Sequence, residues 1–255
     1  NGYMQALETN NFKNIKYIHT FPLNFSIDGS GGIKDPIGMY GEKLEIEFSI
    51  VSVKENQLKT FIKCITNCDV NVIDIISSSY AAGLSVLKED EIKVGSVLIE
   101  MGSSTTSLGV FIEDKMVFAK TISLGGEDIT LAIARRLSIS QEEAEKIKVM
   151  HASAIVGSED THFLLEIPSF LEKEEFDPVQ ITRANLVSVC KPKIEEIFNV
   201  LKIALNESGY GNSVGRTLVL TGGACQLDGI NVLARDFFGY QVRFGHPLNL
   251  RSSKF

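Results

Sequence analysis

Apolar and polar positions alternate most cleanly over residues 43–53 (KLEIEFSIVSV). Leu44, Ile46, Phe48 and Ile50 fall on one side, and Glu45, Glu47 and Ser49 on the other. A period of two predicts a half-buried strand. Upstream, residues 15–27 (IKYIHTFPLNFSI) read as extended and broken at Pro22. Residues 28–41 (DGSGGIKDPIGMYG) hold five glycines and a proline and read as an irregular loop. Downstream the period lengthens: Leu58, Phe61, Ile62 and Ile65 make one apolar stripe of an amphipathic helix. Residues 1–70 therefore read as a small α+β module.

Beyond it, residues 72–76 (VIDII) read as a short buried strand and 79–87 (SYAAGLSVL) as a helix of small residues. Residues 96–101 (SVLIEM) predict another strand. Residues 108–112 (LGVFI) and 116–122 (MVFAKTI) predict a hairpin turning at Glu113-Asp114-Lys115. Gly125-Gly126 opens a helix carrying Ile129, Ile133 and Leu137. Ser140 then reads as an N-cap with Glu143 completing a capping box. Residues 182–207 repeat at helical spacing through Leu186, Val189, Cys190, Ile194, Ile197, Leu201 and Ala204, with Pro192 expected to kink or end the helix. Residues 216–223 (RTLVLTGG) are a strand running into a glycine turn, followed by a helix with Ile230, Leu233, Ala234 and Phe237.

Composition narrows the class. The 255 residues are 44% hydrophobic and 22% charged, as suits a globular chain with a real core. A net charge of −7 argues against a nucleic-acid partner. No apolar run reaches the ~18 residues that span a bilayer, and no signal-peptide pattern opens the chain, so a cytoplasmic location is expected. The chain starts at Asn1 and stops at Phe255 just past a strand-like stretch, which reads as a piece of a longer protein. Cys64 and Cys68 lie on one helix face without a nearby His or third Cys, which is too few ligands for zinc. With Cys190 and Cys225 they read as reduced, apolar thiols. The histidines at 19, 151, 162 and 246 are scattered, and no Ser–His–Asp or Cys–His set stands out. The paired carboxylates Glu142-Glu143 and Glu195-Glu196 read as solvated helix faces.

Three segments carry candidate chemistry. Glu100-Met101-Gly102-Ser103-Ser104-Thr105-Thr106 is a tight turn between strands with an acid at its mouth. Successive N–H groups there can hold phosphate oxygens, and Glu100 can hold magnesium or its water. An ordinary Ser/Thr-rich turn has the same sequence signature. Leu220-Thr221-Gly222-Gly223-Ala224 places glycines between a strand and a helix, where a flat ligand can lie on the backbone or two elements can simply pack closely. Glu145 and Lys148 share a helix face at i, i+3 and suit either the hydroxyls of a ribose or a solvated charge pair.

The order of these segments resembles the actin-like ATPase superfamily, in which two related domains clamp a nucleotide. The string Ile18-His19-Thr20-Phe21-Pro22, Asp28-Gly29 and Gly32-Ile33-Lys34-Asp35-Pro36-Ile37-Gly38-Met39-Tyr40-Gly41 resembles the FtsA family. So do Ala144 to Lys148, Val219 to Ala224 and Val242 to Pro247. The match is collinear from about residue 15 to 250. It implies an α/β, actin-like (ribonuclease H-like) fold. Residues 1–70 would be the FtsA-specific small subdomain and 71–93 a remnant of the first core domain. Residues 94–124 and 214–255 would form the second core domain, with a helical insert at 125–213. The first phosphate hairpin of the superfamily would precede residue 1.

The resemblance further implies ATP with magnesium, held by Glu100, Gly102, Ser103, Ser104, Thr105, Glu145, Lys148, Gly222, Gly223 and Ala224. It implies a cell-division adaptor that polymerises with itself, binds the carboxy-terminal peptide of FtsZ and reaches the cytoplasmic face of the inner membrane through a carboxy-terminal helix outside this chain. Arg183 and Lys193 stand where the family often carries arginine and are the candidate peptide contacts. Two departures bear on activity. The family's acid at the phosphate turn is Asp where this chain has Glu100, and its glycines are replaced by Ser103 and Ser104, which tolerate φ > 0 poorly. Ser78 stands where the chaperones carry a catalytic Glu, and a serine orients an attacking water poorly, so at most slow ATP hydrolysis is expected. The alternatives are a scaffold like PilM of pilus assembly, and a true kinase or fast ATPase.

Overall fold

The structure is a computed structural model that describes residues 14–167 and 179–248. The outer ends of the expected small subdomain and second core domain, and residues 168–178 of the expected insert, lie outside the described residues. The chain forms two compact units, Asn1–Ser78 and Ser79–Phe255.

In the first unit, β1 (Ile15–Ile27), β2 (Ser30–Ile33) and β3 (Leu44–Lys54) make an antiparallel sheet in the order β2-β1-β3. β1 is not broken at Pro22. It runs on with a register shift between Pro22 and Asn24, and such a bulge accommodates the missing proline N–H. The glycine-rich loop is also partly regular. SGGI at 30–33 pairs with β1 through Asp28 and Gly29, both at positive φ, and the Asp28 carboxylate accepts from Glu42 N and Lys43 N at 3.0 and 2.7 Å. A second shift lies between Tyr17 and His19, and the half-buried phase of β3 changes along the strand: Ile46 and Phe48 are half-buried, then Val51 and Val53, while Ile50 is exposed.

Helix α1 (Glu55–Thr66) lays Leu58, Ile62 and Ile65 against the sheet, with Phe61 exposed. Cys64 and Cys68 are exposed rather than packed. The stretch VIDII is not a strand. Its backbone would need sheet neighbours to pair with, and no described sheet takes it, leaving Ile73 almost wholly exposed. His19 Nε2 accepts from Ser77 N at 2.9 Å just beyond it.

The second unit opens with α2 (Ser78–Val86) and α3 (Glu89–Val94). Then come β4 (Ser96–Met101), β5 (Thr106–Ile112) and β6 (Lys115–Ile122). The β5–β6 hairpin turns on Glu113 and Asp114, both at positive φ, the two-residue geometry that matches strand twist. α4 (Gly126–Leu137) and α5 (Gln141–His151) follow, the latter with the expected Ser140–Glu143 capping box. β7 (Leu164–Ile167) and β8 (Val179–Thr182) form a two-stranded ribbon. α6 (Arg183–Glu207), β9 (Thr217–Thr221), α7 (Ile230–Phe238) and β10 (Gln241–Phe244) complete it.

The main sheet runs β10-β9-β4-β5-β6, with β10, β9 and β4 parallel and β5 and β6 antiparallel. Ile99, Met101, Leu108, Ile129, Ile133, Ile194, Phe198 and Leu220 are wholly buried in one core. α6 does not end at Pro192. The carbonyl of Ser188, four residues earlier, loses its helical donor, but Ser188 and Pro192 face solvent and water can take that carbonyl. The buried face through Leu186, Cys190, Ile194 and Ile197 keeps the helix in place.

Candidate functional site

β4 and β9 are parallel neighbours, with Glu100 opposite Thr221, so their carboxyl ends open on one edge of the sheet. In open α/β sheets ligands collect there. β4 leads into Gly102–Thr105 and β9 into Gly222–Ala224. Gly222, at φ +94°, touches the other strand end so closely that a Cβ would lie 2.4 Å from the Met101 carbonyl oxygen.

The turn and α4 are joined through the backbone. Gly126 N donates to Gly102 O at 2.9 Å and Glu127 N to Ser103 O at 2.8 Å. A Cβ on Gly125 would meet Ser103 O at 2.3 Å, so glycine is required for this approach. The first N–H groups of α4 are thus capped by the turn. By contrast, the N–H groups of Ser103, Ser104 and Thr105 have no partner among the described residues, and the three residues are exposed. Neither serine has positive φ, so the loss of glycine there carries no backbone strain. The Glu100 Oε2 atom, at the mouth of the turn, is buried without a hydrogen-bond partner among the described residues.

Glu145 and Lys148 project from α5 onto the start of α4. The Lys148 ammonium donates to Gly126 O (3.0 Å), Thr130 Oγ1 (2.8 Å) and Glu145 Oε2 (2.7 Å), and its side chain is 12% exposed. Thr130 also donates to Glu145 Oε2 at 2.5 Å. Burial pushes the Glu145 carboxyl up, but the hydrogen bonds from Lys148 and Thr130 and the Lys148 charge outweigh it and hold the group below its ordinary value. All three Lys148 hydrogens are thereby engaged, so Lys148 shapes the site while the more exposed Glu145 presents it. Ser103, Glu127, Gln141, Glu142, Glu145 and Lys146 line an open depression on this side. A smaller cavity of about 230 Å³ is lined by Gly126, Lys148, Gly223 and Ala224 and by Arg183 and Asp228.

Arg183 belongs to this second cavity. Its Nε donates to His151 O at 2.9 Å, NH1 to Asp160 Oδ1 at 3.3 Å and NH2 to Asp228 Oδ2 at 3.0 Å. Lys193, on the same helix, pairs with Glu196 at 2.8 Å on a half-exposed face. Ten helical residues separate the two, roughly 15 Å along the axis. The sheet edge thus brings together Gly102–Thr105, Glu145, Lys148 and Gly222–Ala224, with Glu100 beneath the turn, Arg183 in the wall of the cavity and Lys193 apart. Sequence reasoning passed over Thr130, Asp160 and Asp228. Thr130 carried one signal, a hydroxyl one helical turn beyond the glycine pair.

The family model described as "Cell division protein FtsA" matches residues 97–255, and that of the "SHS2 domain inserted in FTSA" matches residues 4–52. The chain is 35% identical over 233 residues to the cell division protein FtsA of Agrobacterium fabrum, covering 91% of this chain and 53% of that protein. It is 29% identical over 245 residues to that of Escherichia coli K12, covering 92% and 57%. The chain thus spans about half the length of the curated relatives it matches. Among solved structures, MreB5 of Spiroplasma citri bound to ADP aligns with a TM-score of 0.61 at 16% identity, over 76% of this chain and 61% of that one. The PilM-PilN type IV pilus biogenesis complex aligns with a TM-score of 0.62 at 15% identity, over 94% and 59%. The fold is therefore the actin-like one.

Proposed function

The chain belongs to the FtsA family of cell-division proteins, and we propose that it serves there as a nucleotide-binding adaptor rather than a turnover enzyme. One observation carries the reading: the partnerless N–H groups of Ser103, Ser104 and Thr105 share a sheet edge with Glu145 and with the backbone of Gly222–Ala224. Three adjacent N–H groups suit phosphate oxygens, a half-exposed carboxylate suits ribose hydroxyls, and glycine backbone suits a flat base.

The ligand is ATP with magnesium, and the residues present fit both. The buried, partnerless Glu100 Oε2 suits the ion or one of its waters. Bound there, magnesium would neutralise part of the phosphate charge. The resemblance of the fold to an ADP-bound MreB5 supports the nucleotide. Within this scheme residues 1–70 are the small subdomain, 71–93 a remnant of the first core domain, 94–124 and 214–255 the second core domain, and 125–213 the insert. The insert takes the carboxy-terminal peptide of FtsZ, with Lys193 and Arg183 as basic contacts. Lys193 is the cleaner probe, because Arg183 is occupied by Asp160 and Asp228. ATP favours self-assembly, and a carboxy-terminal helix outside this chain holds the protein on the cytoplasmic face of the inner membrane.

The test uses the full-length protein. Binding of a fluorescent ATP analogue is expected to tighten with magnesium, and Glu100→Gln to remove most of that gain. A labelled FtsZ carboxy-terminal peptide is expected to bind saturably and more weakly to Lys193→Glu. Rapid phosphate release would sink the adaptor reading in favour of an ATPase, and peptide binding indifferent to Lys193→Glu would remove the insert as the docking site.

A further inference from the structure

The cavity lined by Gly126 and Asp228 has walls of differing chemistry. Near the turn its walls are backbone and the satisfied Lys148. Ile129, Ala152 and Leu227 add apolar walls, and the Arg183–Asp228 pair adds a charged one. A slot with apolar walls and a few fixed polar groups suits a ring system whose edge carries hydrogen-bonding atoms.

The two members of the Arg183–Asp228 pair differ in how firmly they are held. Arg183 is anchored by His151 O and by Asp160 Oδ1, and Asp160 is itself buried and accepts from Gly157 N at 2.7 Å. Arg183 in turn holds Asp228 through Oδ2 alone, leaving Oδ1 without a partner among the described residues. The backbone of Asp228 is fixed as well, because its carbonyl accepts from Ala154 N at 2.7 Å and from Ser153 Oγ at 3.2 Å. Gln226 also lines the cavity, but it is exposed and its side chain has no hydrogen-bond partner among the described residues. Ordering Gln226 would cost conformational entropy that the anchored Asp228 has already lost in folding.

We propose that Asp228, held by Arg183, reads the base of the bound nucleotide by accepting a hydrogen bond from an exocyclic amino group on the ring edge. This rests on the nucleotide reading above and deepens it from phosphate binding to base selection. An ionised carboxylate accepts and cannot donate. This wall of the slot therefore rewards an amino group and repels a carbonyl at the same place. Arg183 is a positioning residue in this scheme: it fixes the orientation of the carboxylate without touching the base.

The experiment compares ATP with purine ribonucleoside triphosphate, which lacks only the 6-amino group, by direct binding to the full-length protein. The wild type is expected to prefer ATP by roughly threefold to tenfold, the range for a hydrogen bond to a charged group discounted for solvent screening. Asp228→Leu is expected to bring the ratio near one while leaving the affinity for the purine analogue in place. Its side chain is 69% exposed, so the substitution does not touch the core. Arg183→Lys, checked for folding by circular dichroism, is expected to lower the ratio partway. A purely structural loss would weaken both ligands equally and leave the ratio unchanged. A wild-type ratio near one, or a full preference surviving in Asp228→Leu, overturns the proposal alone. If neither triphosphate binds the wild type, the nucleotide reading itself falls and this inference falls with it.

Discussion

The two units reach order by different means. In Ser79–Phe255 the main sheet is buried beneath helices, and side chains such as Leu98, Ile99, Met101 and Phe198 lose all contact with water. In the described part of Asn1–Ser78 no side chain is fully buried. Its sheet is held by long antiparallel pairing, two register shifts and turn residues at positive φ such as Asp28 and Gly29. A fully buried core resists deformation, and the candidate site is built entirely on that unit. Precise geometry is thereby supported by elements that do not yield easily.

The sharpest way to test this contrast is to remove one aromatic ring from each unit. Phe198 is completely buried and packs edge-on against Phe238 at 5.4 Å, so Phe198→Ala should cost about 3–5 kcal/mol. Phe48, half-buried on β3, should cost about half as much or less. Urea unfolding followed by a probe in each unit checks it, and equal losses would erase the distinction.

A smaller effect separates the units by pH. Glu91 takes hydrogen bonds from Arg243, one at 2.6 Å, and that pairing holds its carboxyl below the ordinary 4.5 against the opposing effect of burial. Its stabilising contribution is complete above that ordinary value and is lost as pH falls through the depressed one. His19 is lowered from 6.5 by burial, with Asp74 opposing, and its neutral ring must accept from Ser77 N. Its contribution is complete above 6.5 and fades as pH falls through the lower folded value. The small unit should therefore weaken on mild acidification and the large unit only in stronger acid. Glu91→Gln should flatten the second limb and His19→Gln the first. Coincident acid limbs in both units would refute the assignment.

The smallest effect involves no loss of stability. Cys64 and Cys68 are exposed, whereas burial pushes the Cys190 and Cys225 thiols up to about 12. A thiol-specific dye under native conditions should label two cysteines at once, and the other two only on unfolding. Immediate labelling of all four would show that the large unit opens far more readily than its packing implies.

The same contrast governs what could be read in the sequence. Strands of the large unit announced themselves, because burial on a sheet selects unbroken apolar runs such as VLI at 97–99 and LVL at 218–220. The β2 strand did not, because Ile33 is the one β-forming side chain in SGGI and the pairing depends on the turn at Asp28-Gly29. VIDII carried the opposite error, an apolar run whose composition suits a strand but which has no described edge to pair with. β1 pairs on either side of Pro22 along the chain, and packing carries α6 past Pro192, so neither proline ends its element. In the site, the turn and glycines were legible as motifs. The roles of Thr130 and Asp228 were not, since a lone hydroxyl or carboxylate acquires meaning only from what folding sets beside it.

The backbone bonds from Gly126 and Glu127 to the Gly102–Ser103 carbonyls fasten α4 to the turn at one end only. A helix of 12 residues is about 18 Å long. Ile129 and Ile133 lock its middle into the core, so the helix and the core around it would tilt together about the turn. A rotation of the turn by a few degrees would swing the far tip, at Leu137 and Ser138, by on the order of an ångström. That tip carries Arg135 and Arg136, so a small rearrangement at the sheet edge would be written out as a displacement of positive charge on the outer surface.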